Sequence, residues 1–452
     1  MSLDSVFALG AFLPLVLLLY WLLRKEKPRN GLLLIAGLAF YAFGSFSGLA
    51  LLLAAIVANF LLGLWLQKLQ RRKLLCGVAV ALNLLFLGAY KYLNFFLGAD
   101  TVSLVAPLGI SFFTFKCISY LVDICRDPSQ GTKNIFRFAL YVSFFPQITA
   151  GPITRFSQFG PQLEARERMQ LPEGLRRFVI GLSKKLILAG ALGKLTDGVF
   201  GLATPDARLA WLGAIAYMLQ IYFDFSGYSD MAIGVGQMFG FRTPENFNYP
   251  YIAGSITDFW RRWHISLSSW FKDYLYIPLG GNRKGKFRAA LNKAIVFTLC
   301  GLWHGANWTY LVWGAWHGLL SAVESVKKIA PKKLPGKILA HIYALLAVCL
   351  GFVMFRASSL QEGFAMIGAM FTGFRFTDVN TVVLHSLLNA KSISILVISA
   401  VLCLPWIQWL KKREKLCAKL EPLGWIACLV LFALCLLTLA SGGFAPFIYA
   451  QF

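Results

Sequence analysis

Apolar runs recur along the whole chain, and short polar segments separate them. A helix of about 20 apolar residues crosses the hydrocarbon core of a bilayer, and many of these runs approach that length. The runs are continuous rather than alternating, which favours helices over strands. The pattern predicts spans at residues 3–23, 31–46, 48–66, 74–98, 101–124, 135–150, 178–200, 209–240, 294–304, 308–323, 338–355, 363–375, 392–410 and 423–447.

Two polar stretches interrupt this pattern. Residues 155–177 are rich in Gln, Glu, Arg and Pro, and are predicted to form a helix or loop on the cytoplasmic surface. Residues 242–293 are too polar to span simply yet rich in aromatic side chains, which is typical of a re-entrant or interfacial segment. Because the spans use up the length, residues 1–452 are predicted to form one all-α polytopic membrane domain.

Composition and charge support this class. Hydrophobic residues make up 58% of the chain and charged residues only 14%, whereas soluble domains carry nearer a quarter charged residues. A net charge of +24 would suit a nucleic-acid partner, but the basic residues form short clusters between apolar runs, as in cytoplasmic loops. We therefore expect membrane lipids and no nucleic acid as partners, with the N-terminus outside. The nine cysteines show no metal-ligand spacing, so no metal is expected.

The five histidines are few enough to weigh one by one. His304 lies inside an apolar run, next to Trp303 and Asn307, where an imidazole is costly unless it is paired or functional. His317 follows 13 residues later, about 20 Å along an unbroken helix, and it is predicted to pack or line a pore. His264 is therefore the candidate partner of His304. The alternative is that His304 is a satisfied core histidine.

The segment around His264 holds the densest polar chemistry. On a continuous helix Trp260 and His264 would share a face, as would Arg261 and Ile265. The alternative is an interfacial helix whose Trp residues form an aromatic belt while Arg reaches the headgroups.

Charges also occur inside apolar runs, at Lys116, Asp224 and Asp230. An isolated buried charge is costly, so these groups are expected to pair with each other or with Arg261 or Arg262. The pattern leaves open whether such pairs are structural or catalytic.

A basic loop follows a Gly-Gly turn and contains Arg283, Lys284, Lys286 and Arg288. It fits ordinary cytoplasmic loop charge, and equally a site for a phosphate-rich ligand such as coenzyme A. Charge alone does not separate the two.

The chain resembles the membrane-bound O-acyltransferases, and within them the alginate O-acetylation branch. The resemblance covers roughly residues 10 to 370 and is carried by long motifs in a fixed order. They are the segments 107–115, 145–152, 222–232, 244–247, 258–268, 273–283 and 303–307.

The resemblance implies a ring of tilted helices around a central tunnel, with a catalytic core at about 101–325. It implies a catalytic His304, acting as a general base or as a covalent acyl carrier. His264 would be the second catalytic residue, orienting the thioester or stabilising the oxyanion. The residues themselves add further expectations. Those expected to support the site or line the tunnel are Trp303, Asn307, His317, Asp224, Lys116, Trp260 and Arg261, and those expected to bind the donor are Arg283, Lys284, Lys286 and Arg288.

The implied reaction moves an acetyl group from a cytoplasmic thioester to an extracytoplasmic hydroxyl. Acetyl-CoA is the expected donor, with no permanently bound cofactor. The acceptor would be a cell-surface polysaccharide or an extracytoplasmic partner acetyltransferase, and the location the bacterial cytoplasmic membrane. D-alanyl or longer-chain acyl transfer is one alternative, although the related teichoic-acid D-alanyl transfer protein lacks the element at 276–283. A non-enzymatic transporter or flippase is the other.

Overall fold

The computed structural model describes residues 2–97, 106–327, 329–442 and 448. Within these ranges the chain forms helices and connecting segments, with no strand. Residue contacts divide it into two compact units, and the single-domain organisation stays a prediction. The first unit comprises Met1–Phe178 with Tyr228–Glu245, and the second comprises Val179–Gly227 with Asn246–Phe452.

Five of the described helices are long and apolar enough to cross a membrane, and a sixth span results if a pair bent by 68° counts as one. The five are Phe46–Lys68, Lys73–Leu93, Ala207–Met238, Leu334–Arg356 and Ala418–Ala440, and the bent pair is Asp378–Leu387 with Ala390–Leu402. The predicted all-α polytopic class is confirmed.

The first unit is built from helices that pack through small and polar side chains. Asn59 and Asn83 exchange amide hydrogen bonds of 2.7 and 3.2 Å between two of them, the kind of polar contact that links helices in lipid. The helices that begin in this unit are α1 (Leu13–Leu22), α2 (Glu26–Gly44), α3 (Phe46–Lys68), α4 (Lys73–Leu97), α5 (Ile110–Arg126), α6 (Ile135–Ser143), α7 (Phe156–Phe159) and α8 (Leu171–Ser183).

The second unit carries the histidines of interest. A π-helical segment, Lys184–Ala189, joins α8 directly to the next helix. The remaining helices are α9 (Gly190–Phe200), α10 (Ala207–Met238), α11 (Ile256–Arg262), α12 (Ile265–Phe271), α13 (Gly285–His304), α14 (Trp308–Val326), α15 (Leu334–Arg356), α16 (Leu360–Thr372), α17 (Asp378–Leu387), α18 (Ala390–Leu402), α19 (Trp406–Lys411) and α20 (Glu414–Ala440). The end of α10, from Tyr228, belongs to the first unit.

Several predicted spans differ from the helices at their ends. The span at 135–150 stops at Ser143, because a turn rich in Pro and Gly follows and proline cannot continue a helix. The span at 392–410 breaks before Pro405 for the same reason. Helix α13 begins at Gly285, inside the segment predicted to be polar and interfacial. Residues 98, 101–105 and 443–447 of the predicted spans lie outside the described residues.

Candidate active site

His304 is the last residue of α13, at a tight crossing of α13 and α14. A Cβ at Gly301 would lie 2.2 Å from the carbonyl oxygen of Tyr310, and one at Gly314 would lie 2.4 Å from that of Phe297. Only glycine therefore permits this separation of the two helices. Asn307 begins α14 as its N-cap, with Oδ1 accepting from the Thr309 N–H at 3.0 Å.

The His304 side chain is 2% exposed and lies among aromatic rings. Its ring centroid is 4.9 Å from Trp303, 5.0 Å from Trp313 and 5.3 Å from Phe355, each at a steep interplanar angle. Edge-to-face contacts of this kind favour one ring orientation. Asn307 ties the same corner to the chain after α15, because its Nδ2 donates to the Ser358 carbonyl oxygen at 3.1 Å.

His317 also contacts Trp313, with ring centroids 5.3 Å apart. The indole N–H of Trp260 donates to its Nδ1 at 3.4 Å. Because an indole nitrogen can only donate, a neutral His317 carries its proton on Nε2. That atom faces Gly351, where a Cβ would lie 2.7 Å away. His317 is thus enclosed by the packing of α11, α14 and α15.

His264 does not continue the helix that carries Trp260, so the predicted shared face of Trp260 and His264 is wrong. Helix α11 ends at Arg262, Trp263 is extended, and His264 has φ 43° and ψ 54° as the N-cap of α12. The same break separates Arg261 from Ile265. The reason is tertiary: the Ile265 N–H donates to the Asn246 carbonyl oxygen at 2.9 Å, and the Asn248 N–H donates to that of Arg262 at 2.9 Å.

The three tryptophans of this segment are buried within the protein. Trp260, Trp263 and Trp270 are 6%, 1% and 6% exposed, whereas an aromatic belt would leave them at the lipid surface. Arg261, predicted as a supporting residue, is exposed. Arg262 pairs with Asp258 at 3.1 Å, one turn earlier in the same helix.

The predicted pairing of the buried charges with Arg261 or Arg262 is also wrong. In the second unit, Asp224 pairs with Lys185 at 2.7 Å. Lys185 was missed, although a lysine inside the predicted span at 178–200 was the available signal. It lies in the π-helical segment, and such segments often mark functional sites.

The charges of the first unit have other partners. Lys116 donates to the Tyr141 carbonyl oxygen at 2.9 Å and to Gln147 Oε1 at 3.1 Å, both neutral oxygens. Asp230 pairs with Arg177 at 2.9 Å, and Arg177 also binds Glu245. Neutral oxygens can hold a buried ammonium as hydrogen-bond acceptors, which the expectation of ion pairs did not consider.

Glu324 positions α11 and was also missed. Its carboxylate, 6% exposed, accepts from the Ile256 N–H at 2.7 Å and the Thr257 N–H at 2.8 Å. A carboxylate at a helix N-terminus satisfies unpaired donors and interacts favourably with the positive end of the helix dipole. Such capping across the fold leaves no local sequence signal.

The four basic residues predicted to bind the donor are all exposed, around the start of α13. Asn292, fully buried, holds the preceding turn through the Gly281 carbonyl oxygen at 3.1 Å. Burial raises the pKa of the Tyr276 hydroxyl, which donates to Asn282. The turn before α13 is therefore held in place, and the basic side chains that follow it are exposed.

Two observations bear on bound groups. In the described ranges, no cluster of three or more His, Cys, Asp and Glu side chains could hold a metal ion. A polar cavity of about 250 Å³ in the first unit is lined by Arg177, Gln237, Arg242 and Glu245, among others.

Comparison with known proteins gives matches over most of the chain. The model of the membrane-bound O-acyltransferase family matches residues 126–330. The probable alginate O-acetylase of Azotobacter vinelandii is 40% identical, over 99% of each chain. The peptidoglycan O-acetyltransferase of Helicobacter pylori is 38% identical over 80% of this chain and 78% of its own.

A third relative is named for the transfer of a different group. The teichoic acid D-alanyltransferase of Bacillus subtilis is 31% identical over 56% of this chain and 69% of its own. Because a relative 40% identical aligns over nearly all of both chains, and because the apolar helices provide several membrane spans, the chain belongs to the membrane-bound O-acyltransferase family and is a multi-pass O-acyltransferase.

Proposed function

We propose that this enzyme transfers an acetyl group from cytoplasmic acetyl-CoA to a hydroxyl outside the bacterial cytoplasmic membrane. The acceptor is a cell-surface polysaccharide or an extracytoplasmic partner acetyltransferase. The observation that carries the proposal is His304, a buried imidazole at the end of α13, in the motif where the family resemblance implies the catalytic histidine. Two of the relatives are named for O-acetylation of alginate and peptidoglycan, which supports acetyl as the group transferred.

The reaction forms an ester and releases a thiol, by one of two routes. In the first, His304 takes the proton of the hydroxyl as its oxygen attacks the thioester carbonyl, and the proton then passes to the departing thiolate. In the second, a ring nitrogen of His304 attacks the carbonyl and the thiolate leaves with a proton. The hydroxyl then attacks the acyl-imidazole and its proton replaces the acyl group. Rapid acid quenching with labelled acetyl-CoA would trap labelled His304 only on the second route.

The test compares His304→Ala with a matched control. Cells lacking the chain would receive the wild type, His304→Ala or His385→Ala, the last altering an exposed histidine. We expect wild type and His385→Ala to restore ester-linked acetate on the surface polysaccharide, measured by mass analysis. His304→Ala should lower it by roughly 100-fold or more, at an unchanged amount of protein in the membrane. Retained acetylation in His304→Ala cells would contradict the proposal.

The same measurement separates the alternatives. D-alanyl or longer acyl esters that depend on the chain would identify a different donor.

A further inference from the structure

The backbone at His264 is held in an unusual conformation. A φ of 43° lies in the left-handed region, which a non-glycine residue adopts only where its surroundings hold it there. The backbone of residues 246–248 makes two hydrogen bonds to this corner, one each side of His264. The Ser268 N–H also donates to the His264 carbonyl oxygen at 3.0 Å. These hydrogen bonds hold the backbone that carries the His264 imidazole, which is 1% exposed.

The Asn246 side chain is fully buried, and its hydrogen-bond partners show which of its two amide atoms is the oxygen. Its Oδ1 lies 3.2 Å from the backbone nitrogen of Ser266 and 2.9 Å from the Ser266 hydroxyl. Asn oxygen and nitrogen must be told apart by their partners. A backbone N–H can only donate, so the atom that faces Ser266 is the oxygen.

The same oxygen decides which nitrogen of His264 carries the proton. Asn246 Oδ1 lies 3.1 Å from His264 Nδ1. Because an amide oxygen can only accept, Nδ1 is the protonated nitrogen and donates this bond. A neutral imidazole has one protonated nitrogen, so Nε2 carries a lone pair. Phe225 meets the ring edge-on, with centroids 4.6 Å apart, and helps to hold its plane.

This tautomer limits what His264 can do for acyl transfer. A neutral His264 accepts at Nε2 and does not donate there, so the expected role in stabilising an oxyanion does not suit it. The thioester carbonyl and sulfur are themselves acceptors, and the hydroxyl is the reacting group with a proton to give. We propose that Asn246 is a positioning residue that keeps His264 in the Nδ1–H tautomer and so leaves an acceptor at Nε2. On the route in which His304 carries the acyl group, Nε2 accepts the hydrogen bond of the incoming hydroxyl. The hydroxyl as ligand rests on the proposed function.

The first test needs no substrate. Nitrogen-15 NMR of the histidine-labelled full chain in lipid bilayers would report the protonation of both ring nitrogens, and the signals absent from His264→Gln would assign His264. We expect a protonated Nδ1 and a lone-pair-bearing Nε2 in the wild type. A proton on Nε2 of neutral His264 would overturn the proposal. Because this spectrum is independent of activity, it stands even if acetyl transfer proves not to be the reaction.

The second test uses substitutions. Asn246→Asp keeps an acceptor for His264 and Ser266, so we expect it to retain the wild-type tautomer and most of the acetylation. Asn246→Ala removes the acceptor and should lower ester-linked acetate by roughly 10- to 100-fold, as when the residue orienting a ligand histidine is lost. Asn83→Ala is the matched control, since it removes a buried amide of the α3–α4 pair. Equal acetylation in Asn246→Ala and Asn83→Ala cells, at equal protein levels, would refute the positioning role.

Discussion

Lys185 and Asp224 place opposite charges inside the second unit, with side chains 1% and 6% exposed. The second carboxylate oxygen accepts from the Ile448 N–H at 2.9 Å. Removing two charges from water costs several kcal/mol per ion, and their attraction returns this only while both are present. The pair therefore stabilises the fold only while both charges are present, and loss of either one leaves a buried charge without its counter-charge.

Lys185→Met is expected to lower the free energy of unfolding by about 3–5 kcal/mol, because it removes the counter-charge of a buried carboxylate. The double variant Lys185→Met/Asp224→Leu should recover much of that loss, because it also removes the carboxylate. Thermal unfolding in detergent, followed by tryptophan fluorescence, would measure both.

Arg356→Gln is the matched control for this cycle. Arg356 pairs with Asp197 at 2.7 Å, but the two side chains are 35% and 67% exposed. Exposed pairs contribute about 0–1 kcal/mol, so this substitution should change stability little. A loss in Lys185→Met no larger than in Arg356→Gln would show that the buried pair does not stabilise the fold.

The crossing of α13 and α14 places His304 beside Trp313. The close contact at Gly301 and Gly314 comes one turn before His304 on α13. A side chain at either position would push the helices apart and move the histidine from its aromatic neighbours.

Gly314→Ala is expected to destabilise the chain by about 1–3 kcal/mol through overpacking, and to reduce acetylation, because its Cβ would meet the Phe297 carbonyl oxygen. Gly368→Ala in α16 is the control, since a Cβ there meets nothing within 4 Å. It should instead stabilise by roughly 0.5–1 kcal/mol, as alanine does in an open helix. The two melting temperatures test the opposite signs, and a shift in the same direction would contradict this account.

The basic loop bears on how the whole protein takes up its donor, because the proposed donor, acetyl-CoA, reaches it from the cytoplasm. Replacing Arg283, Lys284, Lys286 and Arg288 together by Gln should raise the KM for acetyl-CoA about tenfold, equal to ~1.4 kcal/mol. The reason is the loss of charge-assisted contacts to the phosphates. A phosphate-free acetyl thioester of N-acetylcysteamine should show no such change. Steady-state thiol release in vesicles would measure both.

The control is Lys332→Gln/Lys333→Gln, which removes exposed lysines from another cluster. If the loop carries only ordinary cytoplasmic charge, both sets of variants should leave the KM for acetyl-CoA unchanged. A raised KM for both thioesters would place the effect away from the phosphates.

The class of this protein and the residues worth testing follow from the order of its amino acids. Apolar runs report which segments prefer lipid, and that preference is local. The helices, the break at 305–307 and the position of His304 inside an apolar run therefore follow from residue order. The dense polar segment around His264 can be identified from residue order in the same way.

How those residues are held depends on contacts between segments that are distant in the sequence. The left-handed turn at His264, the amide of Asn246 that sets its tautomer, the Glu324 cap of α11 and the Lys185–Asp224 pair join positions 18 to 68 residues apart. Such contacts depend on which surfaces meet after the helices pack. A one-dimensional pattern records that a buried polar group needs a partner, but the partner is chosen by packing in three dimensions.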